Sequence, residues 1–291
     1  MGMLALAACS NKTKGVLVAA APAPVMVVPP VMLPTIPVMP VPLTTQQFYS
    51  LKKDSLLNIV KQEQPLVLQD STGAIIPSEW VGTVNFGIRK ANYVIIHYTA
   101  QDSIQQTLRT FSLLRTEVSS HYVIGKDGKI YHIVNDYMRS NHAGNGKWGS
   151  VTDMNSISLW IEIDNNGIEP YTDAQIKNLI ALLDYLKRTY NIPAANFIGH
   201  QDYAPRRKPD PGPLFPWKQL AKKGFGYWPD DVVEPAPANF DAALALRIIG
   251  YDISDLNAAI VAFKRHFVQG DSLPMLSPQD LAVLYNVYRK Y

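Results

Sequence analysis

Apolar positions along the chain fall into two rhythms. Short β-rich runs come first: YVIIHYT at 93–99, two runs in SHYVIGKDGKIYHIV at 120–134, ISLWIEIDNNG at 157–167, and NFIG just before His200. They predict a buried strand, a hairpin turning at Lys126–Lys129, a second strand closed by Asn-Asn-Gly, and a short strand. A rhythm of 3.6 residues takes over in TDAQIKNLIALLDYLKRTY, residues 172–190. Ile176, Leu179, Ile180, Leu183 and Leu186 form one apolar stripe there, and Thr172 with Gln175 three residues on is a capping pair. This order predicts an α/β fold: a mixed central β-sheet flanked by helices.

The last fifty or so residues carry only the helical rhythm. Phe240 to Ile249 is stopped by Gly250; Leu256, Ile260, Phe263 and Phe267 share a face; Ser277-Pro278 opens a helix bearing Leu281, Leu284, Tyr285 and Tyr288. Residues 239–291 therefore predict a small three-helix domain after a linker at 229–238. Ahead of the main domain, expected at 46–228, AAPAPVMVVPPVMLPTIPVMPVP (20–42) has proline every few residues. Proline at that density forbids helix and ladder and leaves an extended tether, placed at 20–45.

A formal net charge of +3 over 291 residues is too small to argue for nucleic acid. Nothing after the N-terminus approaches the roughly 18 apolar residues of a spanning helix. The single cysteine, Cys9, excludes an intramolecular disulfide. Leu6-Ala7-Ala8-Cys9 resembles the lipobox of bacterial lipoproteins, although the apolar run before it is short and no basic segment precedes it. That resemblance makes 1–19 the remnant of a signal and anchor, with a lipid on Cys9. Ser10 after the cysteine directs such a protein to the periplasmic face of the outer membrane.

The candidate chemistry lies at strand ends and in one loop. His97 closes the YVIIH run and His200 follows NFIG. Asp210 stands ten residues further on, in GHQDYAPRRKPDPGPLFPW. Two imidazoles and a carboxylate suit Zn²⁺ with a fourth position left for water, and a loop stiffened by five prolines can hold a ligand in place. Against this, histidines at strand ends commonly serve structure, and Asp in Asp-Pro-Gly is a common turn residue. Glu162 sits between Ile161 and Ile163 and so points to the other face of its strand; buried there it is costly unless paired or working, and on a solvated face it is neither.

VIIHYTA, HYVIGKDGKIYHIV, NHAG, IEIDNNG and the proline-rich loop occur in an order and spacing that resembles the zinc N-acetylmuramoyl-L-alanine amidases, a family that includes the peptidoglycan recognition proteins. The likeness covers about residues 80–225 and is greatest to the lipoprotein branch. It implies His97, His200 and Asp210 as ligands of one zinc ion per chain, Glu162 as the catalytic glutamate, and Lys208 as the cation at the developing oxyanion. It places His142 beside the metal on the substrate side, with Asn141 where the family usually has Trp. Arg206 and Arg207 are candidate contacts for the carboxylates of a stem peptide. Asp202 is a competing carboxylate whose family counterpart is structural. His121 and His132 are expected to serve structure, and His266 to lie on the surface. The C-terminal helices resemble a peptidoglycan-binding module, with packing against the catalytic domain as the other reading.

The activity implied is hydrolysis of the amide between N-acetylmuramic acid and L-alanine (EC 3.5.1.28), in peptidoglycan or its muropeptide fragments, by a monomer. Two alternatives belong to other classes: a muropeptide-binding envelope protein without catalysis, and a structural wall tether.

Overall fold

In the computed structural model, residues 54, 57–58, 60–83, 85–88 and 91–291 are described; Cys9 and the proline-rich tether lie outside them. The described residues fall within one compact unit, Thr44–Tyr291. Among the described residues ten strands occur in chain order: β1 Leu68–Gln69, β2 Ile75–Ile76, β3 Ser78–Trp80, β4 Phe86–Ile88, β5 Tyr93–Tyr98, β6 Tyr122–Ile124, β7 Ile130–His132, β8 Met138–Ser140, β9 Ser158–Ile163 and β10 Phe197–Gly199. Six form the central sheet in the order β10-β5-β9-β6-β7-β3, while β1 pairs with β2 and β4 with β8. The sheet is mixed. β10, β5, β9 and β6 run parallel, β7 returns antiparallel to β6, and β3 is parallel to β7.

The expected hairpin is β6–β7. Its turn runs from Gly125 to Lys129, closed by Gly125 N–H to Lys129 C=O at 2.9 Å, with Gly128 at φ +82°. Gly128 adopts the left-handed conformation that Gly tolerates best. Beyond residue 91 the α-helices are α1 Ile104–Ser112, α2 Asp173–Tyr190, the four-residue turn α3 His200–Tyr203, α4 Trp217–Ala221, α5 Ala242–Ile249, α6 Leu256–Phe263 and α7 Pro278–Tyr288. Helix α2 begins in a complete capping box between Thr172 and Gln175, so two of the donors that a helix start leaves open are satisfied.

Strand alternation divides the apolar side chains between two cores. Val94, Ile96, Leu159, Ile161 and Phe197 pack against α2 through Leu179, Leu182, Leu183 and Leu186. Ile180, expected in that stripe, is only half-buried, and Leu182 is fully buried instead. The opposite face, with Ile95, Trp160 and Ile198, shares one apolar cluster with Leu246, Phe263, Phe267 and Leu284 of the C-terminal helices. The core thus crosses the segment 229–238. Within these helices Leu256 is exposed, whereas Val283 and Val287 are buried where Leu281, Tyr285 and Tyr288 are only partly so. Between α6 and the loop that follows, Lys264–Val268 form a single π-helical turn.

Candidate active site

Three parallel strands, β10, β5 and β9, end side by side, and open α/β sheets place their functional groups at such carboxyl ends. The register sets His97 of β5 directly beside Glu162 of β9, and pairs Ile96 with Gly199, the residue before His200. Because Ile161 and Ile163 face α2, Glu162 faces the other way, onto the side covered by α1 and the proline-rich loop. It is buried there, at 7% exposure, which removes the solvated alternative left open by the sequence.

The loop brings Asp210 back to this point. Its carboxylate oxygen Oδ2 lies 2.9 Å from His97 Nδ1 and 3.0 Å from His200 Nδ1. All three residues are buried. Burial, then the neighbouring His200 and His142, push the His97 imidazole down to about 3, and burial lowers His200 as well. Burial alone would raise Asp210, but hydrogen bonds from His200 and His97 overcome it and hold the carboxyl below the usual carboxylate range. The result is one anionic carboxylate facing two neutral imidazoles.

That donor set fits a divalent cation. Ligands about 2.0–2.1 Å from a tetrahedral centre stand about 3.3 Å from each other, close to the spacings seen here. A second group, His97, His142 and Glu162, also has one atom each within 4.8 Å of the others. Within it, His142 and Glu162 are tied to each other and His142 also to the backbone, while His97 keeps Asp210 as its partner. His142 Nδ1 lies 3.1 Å from Ser119 C=O, and His142 Nε2 lies 3.0 Å from Glu162 Oε1. A carbonyl only accepts, so the Ser119 contact makes Nδ1 the donor there. Glu162 Oε2 is left with no hydrogen-bond partner among the described residues.

These groups line a cavity of about 470 Å³ together with Lys208 and Arg207. Lys208 is exposed, without an ion pair among the described residues, and near enough for its charge to disfavour protonation of His200. Arg207 turns inward to its own fold: its guanidinium donates to Asn145 C=O at 2.8 Å and Ala143 C=O at 3.1 Å, so it props the loop that carries His142. Arg206 lies 3.9 Å from Asp252 and outside the cavity lining. The opposite wall comes from α1 and its flanks, through Gln101, Thr107, Thr110, Phe111 and Val118. Sequence reasoning did not single these out. A signal was present in Ser103, whose hydroxyl caps the helix by accepting from Gln106 N–H at 3.3 Å.

The other histidines sort clearly. His121 is buried within hydrogen bonds to Met138 C=O, Ser140 and Trp160 N–H, and His132 stacks on Tyr122 at 4.5 Å. His266 corrects the sequence reading. It is 2% exposed, stacked on Trp217 at 3.9 Å and bonded to Asp202 at 2.8 Å. Asp202 in turn points away from the metal group and into that contact, and His200 keeps Asp210 as its carboxylate partner.

Comparison with known proteins gives a consistent answer. Residues 88–213 match the family described as N-acetylmuramoyl-L-alanine amidase. The chain is 36% identical over 207 residues to the N-acetylmuramoyl-L-alanine amidase AmiD of Escherichia coli K12, covering 60% of this chain and 74% of AmiD. It is 40% identical over 103 residues to the E. coli 1,6-anhydro-N-acetylmuramyl-L-alanine amidase AmpD, covering 35% of this chain and 56% of AmpD. Among solved structures, E. coli AmiD in complex with the substrate anhydro-N-acetylmuramic acid-L-Ala-D-γ-Glu-L-Lys superposes with a TM-score of 0.62 at 31% identity, covering 70% of this chain and 91% of that one. AmpDh3 of Pseudomonas aeruginosa gives 0.63 at 27% identity, over 70% and 93%.

Proposed function

Because the chain belongs to the N-acetylmuramoyl-L-alanine amidase family, we propose that it cleaves the amide joining the lactyl group of N-acetylmuramic acid to L-alanine, in peptidoglycan or its muropeptide fragments. The observation that carries this reading is the convergence of His97 and His200 on one oxygen of Asp210, beside Glu162 Oε2, which has no hydrogen-bond partner among the described residues.

His97, His200 and Asp210 would hold one zinc ion, which supplies Lewis acidity toward the scissile carbonyl and makes a water molecule acidic near neutral pH. Glu162 takes the proton of the attacking water at Oε2 and later delivers it to the amine of L-alanine as that bond breaks. His142 holds the other oxygen and so fixes the direction in which Oε2 points. Lys208, which lines the cavity and has no ion pair among the described residues, balances the negative charge that builds on the carbonyl oxygen. Burial keeps both histidines neutral, which metal ligation requires. Arg207, which lines the cavity while holding the His142 loop, and Arg206, outside that lining, are the cations proposed for a stem peptide's carboxylates.

The test is mass spectrometry of muropeptide digests with and without chelator, alongside the zinc content of the purified chain. Release of free stem peptide that stops on chelation supports the amidase. One zinc per chain with no release supports a muropeptide-binding protein, and no zinc at all favours a structural tether. Asp210→Ala should lose the metal.

The setting is proposed on the N-terminal sequence. A lipid on Cys9 and the tether to residue 45 would hold a monomer at the periplasmic face of the outer membrane. No described helix is long and apolar enough to cross a membrane. Residues 46–228 would form the catalytic part, and 239–291, after the linker at 229–238, the peptidoglycan-binding-like helices. Labelled palmitate that is incorporated by wild type and lost in Cys9→Ala would support the anchor; incorporation that persists would exclude it.

A further inference from the structure

The C-terminal helices reach the back of the metal group through one buried carboxylate. Asp202 is fully buried. Its Oδ2 accepts from Gly199 N–H at 2.7 Å and from His266 Nδ1 at 2.8 Å, and its Oδ1 accepts from Tyr251 O–H at 2.8 Å. Two of these three donors come from beyond residue 239. Asp202 rides on α3, the four-residue turn that starts with His200, and it closes that turn onto the end of β10. Its carboxylate is thereby tied to the backbone of the residue that precedes His200.

The far end of the same loop is held by the same π-helical turn. The His266 ring stacks on Trp217 with 18° between planes, and Gln269, which ends that turn, donates to Phe215 C=O. Gly199 lies beneath: a Cβ there would meet Pro211 at 2.6 Å and Trp217 at 3.2 Å. Residues 199–217 are thus gripped at both ends, with Asp210 between the grips. Apolar packing alone would not call for a carboxylate at this place, since an ionised group buried without donors is costly. Asp202 is tolerable because the C-terminal helices supply its partners.

We infer that His266 and Tyr251 are positioning residues for the metal site, acting through Asp202 to hold the turn that carries His200. The inference rests on the reading of His97, His200 and Asp210 as metal ligands. On this view the C-terminal helices are a brace for the metal loop, whatever else their outer surface does.

The experiment uses the full chain and three readouts: zinc affinity by competition with a chromophoric chelator, the visible spectrum of the cobalt-substituted protein, and the melting temperature of the zinc-free form. Supporting partners of metal ligands commonly change affinity by about 10–100-fold when removed. His266→Leu, one step further from the ligands, should weaken zinc binding by about 10-fold, the low end of that range, and shift the cobalt bands. Tyr251→Phe, which removes a single oxygen, should act in the same direction. His266→Asn, whose amide nitrogen stands near the place of Nδ1, should restore most of the affinity. Val287→Ala, a cavity in α7 with no hydrogen bond to Asp202, should lower the melting temperature and leave affinity and spectrum unchanged. Unchanged affinity and spectrum in both His266→Leu and Tyr251→Phe would overturn the inference. So would a loss in Val287→Ala equal to that in His266→Leu, because the helices would then merely pack. If His266→Leu does not fold, Tyr251→Phe decides. A wild-type chain that takes up no zinc refutes the metal reading itself, and the brace with it.

Discussion

Acid should destabilise the metal-free protein through His97 and His200 before it reaches Asp210. His97 is buried, and burial, then His200 and His142, hold its imidazole down to about 3. An unfolded histidine titrates near about 6.5. Between these values the unfolded chain binds a proton at His97 that the folded chain refuses, so stability falls as pH falls through this window. Moving from about pH 7.5 to about pH 5 costs about 2 kcal/mol from His97 alone by linkage. His200 is lowered by burial too and adds in the same sense. Asp210 is held below the ordinary carboxylate range, so its contribution is already in place across this window and is lost only in stronger acid. The assay is urea unfolding followed by tryptophan fluorescence in excess chelator, for wild type and His97→Gln, at both pH values. Wild type should lose about 2 kcal/mol more than the variant over this interval. Equal losses in the two proteins would refute the assignment of His97 as a buried neutral ring.

Three further outcomes follow from the site. Glu162→Gln should keep its zinc and lose about 10²–10⁴-fold in turnover, as removal of a general base does; unchanged turnover would exclude its role, and lost zinc would make it a ligand. Lys208→Met should lower kcat with little change in metal content or melting temperature, since its side chain is exposed and has no ion pair among the described residues; a fall in zinc content would show that it acts on the ligands. Gly199→Ala should weaken zinc binding because the new methyl group collides with Pro211 at 2.6 Å; an unchanged chelator titration would mean that the loop yields there without moving Asp210.

Local pattern carried the elements that complete themselves nearby. Helix α2 was legible because its cap, its stripe and its length all lie within residues 172–190. The orientation of Glu162 followed from the alternation of a strand. The grouping of His97, His200 and Asp210 came from a motif resemblance, as no local rule tells Asp210 from Asp202. The structure supplies the physical difference: Asp202 spends its oxygens on Gly199, Tyr251 and His266, whereas Asp210 faces two imidazoles. His266 was misread because its place is decided at long range. A straight 3.6-residue period does not anticipate the π turn at 264–268, which buries Lys264, His266 and Phe267 together. The α1 wall of the cavity was missed for a similar reason, since Thr107 and Thr110 read as ordinary polar positions until the fold sets them opposite His142 and Lys208.

The order of the central sheet also bears on how copies of the protein meet. Both of its border strands, β3 and β10, are three residues long. Beyond β10 the chain turns at once into the His200 helical turn, so the backbone offers a neighbour almost no ladder to extend. Crowded together on a surface, such molecules would find little ladder to extend along the central sheet, so recognition at its borders would fall to side chains.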